Sequence, residues 1–210
     1  MANYTDLTEL KADLPDLDSG VLDDYDNVLS EMITAASRLI DREVGGWENY
    51  FYPSTVDSTR YYDGNGEVEL YIDPMASLTS VSVAESGGRA STSYTDWEIN
   101  TDYYTWPYNT TDTGDPIRAL IIDNDTGSKG TFCKDRKSVK VIGVFGYSSE
   151  PPEPIQQACK IQAMRWFMRS KQSYQDTSAS ERLGQMLYVQ ELDPDVKRLL
   201  MPYKIGNMML

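Results

Sequence analysis

The chain has 210 residues, 33 acidic against 19 basic, and no histidine. A net charge of −14 opposes general binding to DNA or to anionic membranes, because both partners are negative. The missing histidine excludes Ser-His-Asp triads and histidine-ligated metal sites.

This length is enough to bury a hydrophobic core without covalent staples, as one domain or a domain with a large insertion. Charge is unevenly placed. Residues 1–50 hold 12 acids and 3 bases, a net of −9; residues 51–150 hold 15 and 8, a net of −7. Residues 151–210 hold 6 and 8, a net of +2, so an acidic front and a basic back can attract one another. Cys133 and Cys159 make no disulfide framework, which suits a reduced compartment. "MANYTDLTEL" lacks the basic region and apolar run of a secretory leader, and no stretch has the apolar length of a bilayer span. The expectation is a soluble protein made inside the cell.

In chain order, "TDLTELKADLP" places Leu7, Leu10 and Leu14 on one helical face, with Thr5 or Asp6 as cap and Pro15 as stop. From Asp23, the spacing of Val28, Leu29, Met32, Ile33, Ala36, Leu39, Ile40 and Val44 predicts a second helix, ended by Gly45-Gly46. The pattern then changes to alternation. "STRYYDGNGEVELYID" predicts a hairpin turning at Asp63-Gly64-Asn65-Gly66, and "LTSVSVAE", "DWEIN", "IRALIID" and "SVKVIGVFGY" predict further strands. After Pro151, Pro152 and Pro154, a long helix carries an apolar stripe of Ile155, Cys159, Ala163, Trp166 and Phe167. Lys160, Arg165 and Arg169 lie largely off that stripe. "QDTSASERLG" reads as a flexible polar link. "LDPDVKRLLMPY" predicts a short helix capped by Asp193, opened by Pro194 and stopped by Pro202. The fold class is therefore α+β: a discontinuous core of about four helices, residues 1–50 and 148–210, with an antiparallel β-sheet inserted over 51–147.

Catalytic motifs are missing. No phosphate loop or dinucleotide fingerprint is present, and no cofactor is expected. "DNDTGSKGT" begins like a calcium loop at Asp123 and Asp125, but Gly127 and Lys134 stand where further ligands belong, so it reads as a turn. Asn109-Thr110-Thr111 matches a glycosylation sequon and, without a leader, reads as a loop. Trp97, Tyr103, Tyr104, Trp106 and Tyr108 form an aromatic stretch that either packs the sheet or holds a sugar or a protein partner.

Three segments, in this order, resemble the head–tail connector proteins (adaptor or head-completion proteins) of long-tailed bacteriophages. They are "YTDLTELKADL" followed by "MITAASRLIDREVGGWENYFYPSTVDSTRYYDGNG", then "VKVIGVFGYSSEPPEPIQQACKIQAMRWFMRSK", then "ELDPDVKRLLMPYKI". The resemblance implies a non-enzymatic virion protein of the neck, assembled with itself as a ring of twelve copies beneath the portal protein. It also implies a DNA channel through which DNA passes without specific binding, a platform for a downstream neck, stopper or tail-terminator protein, and no membrane contact. The competing class is a carbohydrate- or protein-binding module built on the β insert; a carboxylate enzyme is a third. The apolar ending "MPYKIGNMML" suits docking on the portal or on a neighbouring subunit. The candidate interface residues are Tyr203, Ile205, Met208, Met209 and Leu210, with Arg165 and Arg169 on the long helix.

Overall fold

The computed structural model describes residues 3–13, 25–84, 93–125, 127–171, 177–180, 185–188 and 192–208. The fold is α+β, several helices plus a six-stranded antiparallel sheet. The chain forms two compact units, Met1–Asn49 with Pro151–Leu210, and Tyr50–Glu150.

In the first unit, α1 (Leu7–Ala12) starts at Asp6, whose carboxylate accepts the Glu9 N–H at 2.7 Å. That bond satisfies one of the amides left open at a helix start. Tyr4 and Leu10 are buried; Leu14 and Pro15 lie outside the described residues. α2 (Asp26–Val44) ends at Gly45, whose φ of +79° is a left-handed conformation that glycine adopts without a Cβ penalty. Its inner face is Leu29, Ile33, Ala36, Ile40 and Val44, all buried. Val28, expected in that stripe, is instead 38% exposed.

The long helix α4 (Glu153–Lys171) buries Ile155, Ala158, Cys159, Ala163 and Phe167. Trp166 is only half-buried, one position round the helix from the centre of the stripe. α2 and α4 pack on one another, and α5 (Pro194–Leu200) packs on α4 through Val196 and Leu200. Each fully buried large apolar side chain contributes about 1.5–3 kcal/mol before ordering costs, so these faces carry most of the unit's stability. Asp193 caps α5 by accepting the Asp195 N–H at 2.9 Å, with Pro194 in the first turn. As expected, α5 stops short of Pro202. Pro202 sits inside a 3-10 turn, Met201–Tyr203, and a last helical turn, α6 (Ile205–Met208), follows. The expected polar link is also corrected: β7 (Thr177–Ser180) pairs antiparallel with β8 (Gln185–Tyr188).

In the second unit the strands are β1 (Ser58–Tyr62), β2 (Glu69–Ala84), β3 (Tyr94–Trp97), β4 (Tyr103–Trp106), β5 (Ile117–Ile122) and β6 (Val139–Phe145), with a helical turn, α3 (Thr110–Thr113), before β5. The order is β1-β6-β2-β5-β4, with β3 beside β2. The expected β1–β2 hairpin does not form, because β6 lies between them: Tyr61 pairs with Lys140, and Lys140 with Ser82. The Asp63–Gly66 stretch serves the 132–138 loop instead. Gly64 N–H donates to Asp135 O at 3.0 Å, Gly66 N–H to Phe132 O at 3.0 Å, and a Cβ on Gly64 would lie 1.8 Å from Cys133 O.

Two predicted strands merge into β2, with register shifts on either side of Met75 and Pro74 at one of them. Such irregularities bend a strand and let a proline sit in it. At one shift Gly143 approaches so closely that a Cβ would lie 2.3 Å from Ser77 O. Alternation on β6 buries Val139, Val141 and Phe145 and leaves Lys140, Ile142 and Val144 half-buried, the pattern of a sheet with one covered face.

Candidate functional site

Asp123, at the start of the calcium-loop-like stretch, is engaged in structure. Asp123 is buried; one oxygen accepts the Asp125 N–H at 2.8 Å and the other accepts the Tyr104 hydroxyl at 2.8 Å. Among the described residues no group of three or more His, Cys, Asp or Glu could hold a metal ion. Burial pushes the Cys159 thiol up to about 11, and Ser37 Oγ lies 3.5 Å from its sulfur. A neutral, buried thiol is a poor nucleophile.

Three of the five aromatic residues serve the sheet. Trp97 stacks on Phe132 at 5.4 Å, Tyr103 is buried, and Tyr104 holds Asp123. Trp106 and Tyr108 are exposed, set edge to face at 4.9 Å.

The basic residues of α4 turn inward rather than outward. Lys160 reaches Glu9 at 3.3 Å and Asp13 at 3.6 Å, tying α4 to α1. Arg165 Nη1 donates to Asp193 Oδ2 at 2.8 Å, so it braces the residue that caps α5. Arg169 is half-buried on the same helix. Tyr203 and Ile205 are half-buried just beyond α5, and Met208 closes α6. Met209 and Leu210 lie outside the described residues.

One groove of this unit was not evident in the sequence. A groove of about 410 Å³ lies between the end of α2, at Glu43, and the α5 region. Leu192, Leu200 and Met201 give it an apolar lining; Lys197, Arg198 and Lys204 make it basic. Leu192 and Leu200 are nearly covered, whereas Met201 is 64% exposed. The available signal was the Lys197-Arg198 pair beside Leu199-Leu200-Met201, in the only third of the chain with net positive charge. Among the described residues no helix is long and apolar enough to cross a membrane.

No family model matches the chain. No curated protein matches it. Among solved structures, the fold is similar to a chain in the neck of an empty gene transfer agent (GTA) particle computed with C6 symmetry, at TM-score 0.51 and 14% identity. That match covers 96% of this chain and 89% of the other. A chain in the virion of a native gene transfer agent particle matches at TM-score 0.45 and 14% identity, covering 85% of this chain and 77% of that one. The fold of this chain is thus similar, over nearly its whole length, to that of a chain in the neck of a gene transfer agent particle.

Proposed function

We propose that this chain is a structural component of the neck of a phage-like particle, a ring-forming adaptor that docks under the portal. In that place it extends the DNA channel and offers a platform for the next neck or tail protein. The observation that carries the reading is the fold likeness to a chain from a gene transfer agent neck across 96% of the length. It coincides with the ordered sequence resemblance to head–tail connectors, and it accommodates helices whose charged residues brace the fold rather than form a reaction centre. A net charge of −14 suits a wall past which DNA must slide, because tight DNA binding comes from phosphate contacts with basic groups.

The test uses heads that carry the portal but lack this protein. Purified chain should co-sediment with them at a fixed number of copies per head and restore tail joining. Chain that stays in the supernatant while the heads join tails without it contradicts the proposal.

A further inference from the structure

We infer that the open face of the sheet at β2, β5 and β4 binds a neutral oligosaccharide chain, stacked on Tyr71, Trp106 and Tyr108. The site is read from the sheet unit by itself and does not rest on the neck reading.

Strand register builds the platform. Tyr71 on β2 and Trp106 on β4 are both paired with Ala119 on β5, so all three side chains leave the same face of the sheet. The next residues along, Leu70 and Leu120, are buried on the opposite face, which fixes this one as the outer side. With strands about 4.8 Å apart, the two aromatic residues start about 10 Å from one another, across a side chain too small to stand between them. Tyr71 is 57% exposed and Trp106 43%; Tyr108, set edge to face on Trp106, is 52% exposed. Two strand spacings are about the length of two linked pyranose rings.

Size and polarity choose the occupant. Three aromatic side chains near half exposure offer roughly 300 Å² between them. That is well short of the about 800 Å² that each partner buries in a stable protein interface. An oligosaccharide needs no more, because the C–H face of a pyranose stacks on an aromatic ring while its hydroxyls ask for donors and acceptors at the rim. The rim has both. Asn109 and Thr111, exposed, follow Tyr108 closely in the chain, and the Glu69 carboxylate stands at the Tyr71 hydroxyl. Charge excludes an anionic polysaccharide. β2, β4 and residues 107–116 contain no Lys or Arg, whereas Asp112 and Asp115 lie in that loop. Arg118, the one basic residue of β5, alternates to the other face from Ala119.

The experiment is isothermal titration calorimetry of the full chain with cellohexaose, maltohexaose and chitohexaose, and with hexalysine as a cationic probe. The wild type should bind at least one of the sugars. Tyr71→Ala and Trp106→Ala should each weaken that binding about tenfold, and Trp106→Phe, which keeps a ring, should retain most of it. Tyr61→Ala removes an equally exposed ring at the opposite edge of the sheet and should change nothing. The substituted side chains are largely exposed, so every variant should keep the wild-type melting midpoint. Should Trp106→Ala unfold the chain, Tyr71→Ala and Trp106→Phe decide the matter. A wild type that binds none of the sugars overturns the inference. Sugar binding that survives loss of Tyr71 and Trp106, or that Tyr61→Ala weakens as much, overturns it as indiscriminate stacking. Hexalysine held through these rings while the sugars are not overturns it in favour of a basic segment of a partner protein. The neck reading fails by a different result, a chain that ignores portal-bearing heads whether or not it binds sugar.

Discussion

Asp41 is a buried carboxylate on α2 that holds three neighbours. It accepts the Tyr4 hydroxyl, accepts the Asn49 N–H at 3.1 Å, and lies 3.3 Å from Arg38, which also donates to Asn49 Oδ1 at 2.8 Å. The residue thus ties the amino-terminal segment and the turn after Gly45 to one point on the helix. Replacing it with alanine takes the acceptor from the buried Tyr4 hydroxyl and the Asn49 N–H, while Arg38 keeps Asn49 and Glu48, so Asp41→Ala should cost about 2–4 kcal/mol in urea unfolding. An unchanged midpoint would show that water replaces the carboxylate at no cost. Cys159 gives a pH signature. Burial raises its thiol from 9.0 to about 11, so the unfolded chain loses that proton before the folded one does. Stability from this group is therefore complete below pH 9 and falls between about pH 9 and 11, by about 2–3 kcal/mol. Burial also raises Tyr103, to about 12, and acts in the same direction at higher pH. Cys159→Ala should flatten the first part of that decline, measured as urea midpoints against pH; parallel curves for the two proteins would contradict it. None of this was legible in the sequence, since Asp41 and Tyr4 are 37 residues apart and burial depends on what packs above.

The elements themselves were largely legible where local signals act alone. α1, α2, α4 and α5 follow from apolar spacing near 3.6 residues, from Asp6 and Asp193 as caps, and from Gly45 as terminator. What failed was pairing. "DGNG" has the chemistry of a tight turn, yet β6 arrives from more than seventy residues away and takes the place beside β1. Nothing local announces that competition. β4 was hidden because its run Tyr103–Trp106 reads equally as an aromatic loop. The close approaches of Gly64 and Gly143 supply a direct check on the observed pairing. Gly64→Ala would drive a Cβ into Cys133 O, and Gly143→Ala into Ser77 O; each should cost more than about 2 kcal/mol by thermal unfolding. A neutral Gly64→Ala would contradict the close packing of Gly64 against the 132–138 loop. In the helical unit, Phe167→Ala should cost about 3–5 kcal/mol, and Trp166→Ala clearly less because it is half-buried. The reverse ranking would mean that α4 is rotated from the orientation described.

At the scale of the whole molecule, the basic side of the charge asymmetry that the sequence shows gathers in one groove of the helical unit, at Lys197, Arg198 and Lys204. The groove residues were not legible because Leu192 and Met201 meet Glu43 only after α5 has packed. Arg165 was legible as basic but not as a brace, since Asp193 lies 28 residues on. Assembly through that groove should weaken as salt rises, because screening confines exposed charges to about 8 Å at physiological ionic strength. Stronger association at high salt would assign the contact to apolar burial instead. Removing residues 205–210 should leave the melting midpoint in place yet release the chain from portal-bearing heads; unfolding would instead assign Ile205 to the core. The most direct test of the neck reading is a cryo-electron microscopy reconstruction of the neck of phage-like particles assembled in the presence of this protein. The neck reading predicts density for the helical unit and the six-stranded sheet in a closed ring between portal and tail, around the DNA channel. A fully resolved neck without this chain, in particles that still join heads to tails, would contradict it.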